Sequence, residues 1–323
     1  MTGTTTEAMV KIQVISDLHL EASPVEKATD IVNVSSGADV LIIAGDLGSF
    51  YDLEPMYKFL ECLSPWYKYI LYVIGNHEYY RHPSFLVARL GDLRHRAERM
   101  FKTIENLHIL DRKSVRINGV VFAGATLWSD VERESDVWPE FIRHKLRVSK
   151  HVYKSLYKRD YTWIRRTIDS CRKNGDPLVV ITHHAPTFTS LRRRGRYESL
   201  YASNLDHLIR KENMVMWIHG HTHHNMDRRV RGVNVVSNQR GKTYDRCTLD
   251  PNKVKIIEPG DLTEGSSVLY CSPTMLMGAT LEKCHPDPTE PYYTIKMDNG
   301  RERQTVKSKL RPIYRVRDVQ PIP

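Results

Sequence analysis

Apolar residues along this chain come in short runs separated by polar, helix-spaced stretches. Val10–Ile15, Val40–Ala44, Tyr69–Ile74, Leu178–Thr182 and Met214–Ile218 each predict a strand, most of them too apolar to expose either face. Met56, Phe59, Leu60 and Leu63 stand at i, i+3, i+4 and i+7 behind Pro55, which predicts a helix with proline near its start. The arginine-rich stretch over 84–105 predicts a second helix. Asp160 is placed to cap a third, carrying Trp163, Ile164, Ile168 and Cys171. Asn118-Gly119, between runs at 114–117 and 120–125, predicts a tight hairpin. Residues 130–150 form an insertion of mixed charge, a short helix is expected from Ser203, and 233–236 and 253–257 add two strands.

Past Pro259-Gly260 the texture changes to short strands and turns, at 268–270, 275–281, 292–297 and 304–306. Tyr293, Ile295 and Met297 alternate with Tyr292, Thr294 and Lys296, and Asp298-Asn299-Gly300-Arg301 makes a hairpin turn. The expected organisation is a disordered tail over 1–8, a large α/β domain over 9–258 and a small all-β module over 259–323.

Composition adds little and excludes more. With 41% hydrophobic and 27% charged residues the chain is ordinary for a globular protein. No apolar run approaches the ~18 residues of a membrane span, and Met1–Ala8 lacks the features of a secretory leader. Five scattered cysteines without a Cys-x-x-Cys pair argue against a disulfide framework and for a reducing, cytoplasmic setting. The net charge of +10, concentrated before Glu258, suits a polyanionic substrate or partner.

The candidate chemistry sits where the strands end. The run Met214–Ile218 leads into His219-Gly220-His221-Thr222-His223, whose His221 and His223 stand i, i+2 and point one way in extended backbone. Asp17 and His19 repeat that spacing after the first strand. Asp46 follows the second, Asn76 the third and His183-His184 a later one. The donors are oxygen and nitrogen with no sulfur, suiting Mn, Fe, Zn, Ni or Mg. Seven ligands are too many for one tetrahedral ion and about right for two sharing a carboxylate. Such a pair binds a phosphoryl oxygen and promotes ionisation of water.

Asp17-Leu18-His19, Gly45-Asp46, Gly75-Asn76-His77-Glu78, His183 and Gly220-His221-Thr222-His223, in that order, resemble the calcineurin-like metallophosphoesterases over residues 9–258. The resemblance implies a four-layer α-β-β-α sandwich. It also implies two divalent cations, manganese favoured: one held by Asp17, His19 and His223, the other by Asn76, His183 and His221, with Asp46 bridging. His77 would act on the leaving oxygen as general acid, and hydrolysis would proceed by attack of metal-bound hydroxide. His183 is preferred to His184, which points to the opposite face. Glu78 is expected to support the ligands. Arg240 is a candidate phosphate clamp, weighed against a plain surface arginine. Trp128 and the Arg192–Arg196 loop are read by default as core and solvated charge, and His144, His207, His219 and His224 receive no role.

The Gly-Asp-x-x-Asp-Arg-Gly pattern of the family's protein phosphatases is missing after Asp46, where Leu47-Gly48-Ser49-Phe50 stands instead. A small phosphomonoester or phosphodiester, or a nucleotide, is therefore the favoured substrate. A nuclease acting on DNA or RNA is the alternative, and a scaffold with a vestigial centre the third reading. The C-terminal module more weakly resembles Tudor- or SH3-like barrels, which implies a nucleic acid or peptide partner, weighed against a structural appendage.

Overall fold

The computed structural model describes residues 9–81, 86, 88–131, 145, 146, 148–193, 195, 197–245, 247–272, 275–287 and 289–319. The expected tail before Met9, most of the insertion with His144, and Arg194 and Arg196 lie outside the described residues.

Strands β1 (Val10–Ile15), β2 (Val40–Ala44), β3 (Tyr69–Val73) and β4 (Leu107–Ile109) run parallel in one six-stranded sheet. Beyond β1, β11 (Val254–Pro259) and β17 (Tyr314–Asp318) complete it antiparallel. In the second sheet β6 (Val120–Ala125), β7 (Leu178–Thr182), β8 (Met214–Ile218) and β10 (Val233–Val236) are parallel. Antiparallel β5 (Lys113–Ile117) and β9 (Asp227–Val230) form its edges.

Why β2 is apolar throughout follows from its two neighbours. Val40, Ile42 and Ala44 pack with Phe122, Ile181 and Ile218 of the second sheet. Leu41 and Ile43 cluster instead with Met56, Phe59 and Leu60 of α1 (Glu54–Leu63) and Leu93, Ala97 and Phe101 of α2 (Leu90–Phe101). On the other side of the molecule Val121, Ala123, Val180 and Trp217 pack against Ile164 and Ile168 of α3 (Lys150–Asn174). The layers are therefore helix, sheet, sheet, helix. Each fully buried Leu or Ile contributes about 1.5–3 kcal/mol to that stacking.

The structure corrects three helix expectations. The second helix covers only Leu90–Phe101, where Leu93, Ala97 and Phe101 make one buried stripe. Asp160 is no cap: it lies buried inside α3, whose first turn is capped by Ser149 Oγ accepting from Val152 N. A polar residue at that position is explained by its partners, because its carboxylate accepts from Leu127 N at 3.0 Å and Arg112 Nη1 at 2.6 Å. From Ser203 the backbone makes only a 3-10 turn, Asp206–Leu208.

After β11 come β12 (Ser267–Cys271), β13 (Leu276–His285), β14 (Tyr292–Met297), β15 (Glu302–Val306) and β16 (Leu310–Pro312), an antiparallel sheet in the order β15-β14-β13-β12-β16. The sequence resemblance implies a small Tudor- or SH3-like barrel here. What forms is this sheet, and among the described residues no ladder joins β15 to β16. Its core is Val268, Tyr270, Leu281, Ile295 and Leu310. The chain then crosses back, and β17 pairs with β11, which itself spans 258 and 259. Among the described residues no helix is long and apolar enough to cross a membrane, and all five cysteines are free.

Candidate metal centre

Both sheets present the carboxyl ends of their parallel strands at one edge, where sites of this architecture are built. Asp17 and His19 follow β1, Asp46 follows β2, Asn76 follows β3, His183 follows β7, and His221 and His223 follow β8. The backbones there are laced together: Asp17 N donates to Gly45 O at 3.0 Å, His19 N to Asp46 O at 3.0 Å, and His221 N to Asp17 Oδ1 at 2.9 Å.

All seven predicted ligand residues converge. Asp17, His19 and His223 bring ligand atoms together in one group, with His19 Nε2 and His223 Nε2 3.1 Å apart and His223 Nε2 3.4 Å from Asp17 Oδ1. Asp46, His183 and His221 form a second, where His183 Nε2 lies 3.2 Å from Asp46 Oδ1, 2.9 Å from Asn76 Oδ1 and 3.1 Å from His221 Nδ1. Asp46 stands between the groups, and His19 Nε2 is 4.0 Å from its Oδ2.

Whether these residues suit cations is decided by their outer nitrogens. His183 Nδ1 faces Ala44 O at 2.9 Å and His221 Nε2 faces Leu200 O at 3.1 Å. A carbonyl only accepts, so those nitrogens carry the protons, and in the neutral rings His183 Nε2 and His221 Nδ1 turn lone pairs toward each other. Asn76 Oδ1 adds another acceptor at the same point. Asp46 Oδ2 is buried without a hydrogen-bond partner. Acceptors crowded against acceptors call for positive charge between them, and the donor set fits a divalent cation in each group.

The buried carboxylates draw positive charge to this point, which either a bound cation or a proton on His183 supplies. Burial pushes the Asp46 carboxyl up, but His183 and His77 outweigh it and hold it well below the usual carboxylate range. Burial lowers His183, yet Asp46 and Asp17 raise it to about 9. His223 is also raised to about 9, where burial loses to Asp17 and Asp245.

His77 is absent from those two groups, yet with His19 and Asp46 it makes a third set of ligand atoms close enough to share an ion. Its backbone N donates to Asp46 Oδ1 at 2.8 Å, and its Nδ1 meets Glu21 Oε1 at 2.8 Å. The same carboxylate oxygen lies 3.4 Å from His19 Nδ1. Burial raises Glu21, but hydrogen bonds to His19 and His77 prevail and hold it near 2. Glu78 is fully buried, accepting from Leu47 N, Gly75 N and Tyr72 Oη, and so ties together the loops that carry Asp46 and Asn76.

Other candidates fall outside the clusters. His184 turns Nδ1 to Thr126 O at 3.4 Å and Nε2 to Tyr153 Oη at 3.5 Å, and burial beside His183 lowers it to about 3. Trp128 is buried against Tyr153 and His184. Arg240, considered as a phosphate clamp, instead donates through Nη1 to Leu18 O at 3.1 Å and Ser23 O at 2.8 Å, because the chain from Leu18 to Ser23 folds back over it.

A cavity of about 430 Å³ opens over the centre, lined by Asp46, Asn76, His77, His221 and His223 at its floor. Its walls include Tyr80, Lys145, Tyr201, Lys242 and Tyr244, none of which the sequence pattern singled out. Nor did it find Glu21 or Asp245, whose carboxylate holds His223 Nδ1.

A profile of the calcineurin-like phosphoesterases matches residues 10–225. An uncharacterized protein, L509, of Acanthamoeba polyphaga mimivirus is 25% identical over 281 residues, covering 74% of this chain and 94% of its own. A phosphopantetheinyl hydrolase from Mycobacterium tuberculosis shares the fold, with a TM-score of 0.52 at 16% identity over 76% of this chain and 96% of its own.

Proposed function

The chain belongs to the calcineurin-like phosphoesterase family, a hydrolase of phosphoester bonds, and on that premise we propose that it is a dinuclear metal-dependent enzyme acting on a small phosphomonoester or phosphodiester. The carrying observation is the meeting of His183 Nε2, His221 Nδ1 and Asn76 Oδ1 beside the partnerless Asp46 Oδ2. In this reading Asp17, His19 and His223 hold one cation, Asn76, His183 and His221 the other, and Asp46 both. Bound there, the cations would neutralise phosphoryl charge and bring water toward ionisation at neutral pH. The protein's own part is to orient. Ala44 O, Leu200 O, Asp245 and Glu21 fix the imidazoles, and His77, its Nδ1 turned to Glu21, would protonate the leaving oxygen from Nε2 when both ring nitrogens carry protons. Catalysis is assigned to residues 9–258. A cavity of about 430 Å³ favours a small substrate over a nucleic acid strand.

Metal analysis together with turnover of p-nitrophenyl phosphate and its bis-ester in Mn tests this. About two ions per chain, loss of activity on chelation, and at least a ~100-fold fall for Asp46→Asn are expected. An Asp46→Asn protein of undiminished activity overturns it.

A further inference from the structure

The walls of the cavity carry groups that holding cations does not require. Tyr201 and Tyr244 line it while remaining 42% and 77% exposed. Single exposed aromatic residues are common, so placement has to decide. Tyr201 follows Leu200, whose carbonyl fixes His221, and its ring centroid is 5.3 Å from that of His221 at 34°. Tyr244 precedes Asp245, whose carboxylate holds His223 Nδ1 and also accepts from Lys242 N at 2.7 Å. Asp245 N in turn donates to Lys242 O at 2.9 Å, closing a tight turn. Each ring is thus one peptide bond from a group that orients a histidine of the centre. Both rings therefore border the cavity beside the centre.

A third ring, Tyr80, lies 4.7 Å from His77, with Lys145 Nζ 5.9 Å from its centroid. Lys145 and Lys242 both line the cavity. Cations at the floor would already meet the oxygens of one phosphoryl group, so two ammonium groups on the walls suit a further anionic group. Flat aromatic faces suit a planar ring, and stacking of a base on such a face is worth about tenfold or more in affinity.

Resting on the phosphoesterase reading above, we propose that the substrate is a nucleotide carrying more than one phosphate, its base against Tyr201 and Tyr244 and its additional charge toward Lys145 and Lys242. In the reaction the oxygen of water bonds to phosphorus, one P–O ester or anhydride bond breaks, and the leaving oxygen takes a proton. No other reactant is needed.

Calorimetry on the full-length, Mn-loaded protein tests this with α,β-methylene adenosine diphosphate against two probes: methylenediphosphonate, which lacks base and sugar, and adenosine monophosphate, which lacks the second phosphate. The non-hydrolysable nucleotide is expected to bind at least tenfold more tightly than either. Tyr201→Leu and Tyr244→Leu should each weaken the nucleotide several-fold while moving methylenediphosphonate less than twofold, and Lys242→Met should narrow the gap to the monophosphate. Equal affinity of the wild-type protein for nucleotide and methylenediphosphonate overturns the proposal, whatever the variants do. The phosphoesterase reading fails separately, by absent turnover of every ester, including bis(p-nitrophenyl) phosphate.

Discussion

Nine described non-glycine residues have positive φ, and their positions sort by cause. Asn118 and Arg231 are each followed by a positive-φ glycine in a hairpin turn, where the strand twist demands it. Asp17, His19, Asp46, His221 and His223 are five of the seven candidate ligands, with φ between 46° and 69°. Left-handed backbone costs a non-glycine residue about 1–2 kcal/mol, and the hydrogen bonds lacing these loops offset it. The two that remain, Arg112 and Leu127, both donate to Asp160.

Burial drives the Asp160 carboxyl up to about 6 against the pull of Arg112. Because the folded value is raised, its contribution to stability is fully present below the unfolded value of 3.8 and is lost as pH rises through about 6. The cost of charging it is on the order of 3 kcal/mol. Denaturant midpoints at pH 4 and pH 7 should therefore differ less in Asp160→Asn than in wild type, and an unchanged difference would refute this. Glu21 makes a second prediction. If it steadies His77 as a proton donor, Glu21→Gln should lower kcat about 10- to 100-fold for esters of basic leaving groups and much less for p-nitrophenyl esters. A uniform fall across leaving groups would point to metal binding instead. Glu21 was illegible in the sequence: it sits two residues past His19, and only the loop's fold shows that it meets His77. A backbone carbonyl such as Leu200 O has no residue type to recognise, and the contacts of Arg240 with Leu18 O and Ser23 O are likewise not encoded in any spacing.

At the scale of elements, the buried strands of both sheets were legible because each is covered on two faces and so is apolar throughout. The strands β4, β9, β16 and β17 were not, since they are short or partly exposed edge strands whose residues are mixed; β9 is Asp227, Arg228, Arg229 and Val230, mostly exposed. The strand-to-loop junctions are tight enough to exclude a methyl group. A Cβ on Gly75 would overlap Asp46, and one on Gly220 would lie 2.5 Å from Asp17 Oδ2 and 2.8 Å from Ala44 O. Since Ala44 O is backbone and cannot swing aside, Gly220→Ala should cost about 1–3 kcal/mol of stability and displace Asp17. Thermal unfolding and metal content measured together check it, and a fall in Tm with full metal content would place the damage outside the centre.

Across the whole molecule, one buried cation ties the edges of the sheets. Lys255 of β11, only 4% exposed, donates to Asp227 of β9 at 2.6 Å and to Asp318 of β17 at 2.5 Å. Removing Asp318, itself mostly exposed, leaves Lys255 to Asp227 alone at a cost on the order of 1 kcal/mol, and truncation also removes the pairing of β17 with β11. A chain ended at 258 should therefore melt about 5–10 °C lower than the full chain, with Asp318→Asn in the full chain giving part of the loss. Identical melting of the two lengths would show the C-terminal sheet to be an independent appendage. Pro259 still belongs to β11 and the antiparallel sheet starts only at Ser267, and the return of β17 carries no apolar run to announce it.

That return also bears on biosynthesis. The edge of β11 is a row of unpaired amides and carbonyls until residues 314–318 have been made, and β1 itself waits for β11. A nascent polypeptide leaving the ribosome thus carries an open template through most of its translation. Pairing so distant in sequence forms slowly. Chaperone occupancy during synthesis should be prolonged until the final strand emerges to seal that flank.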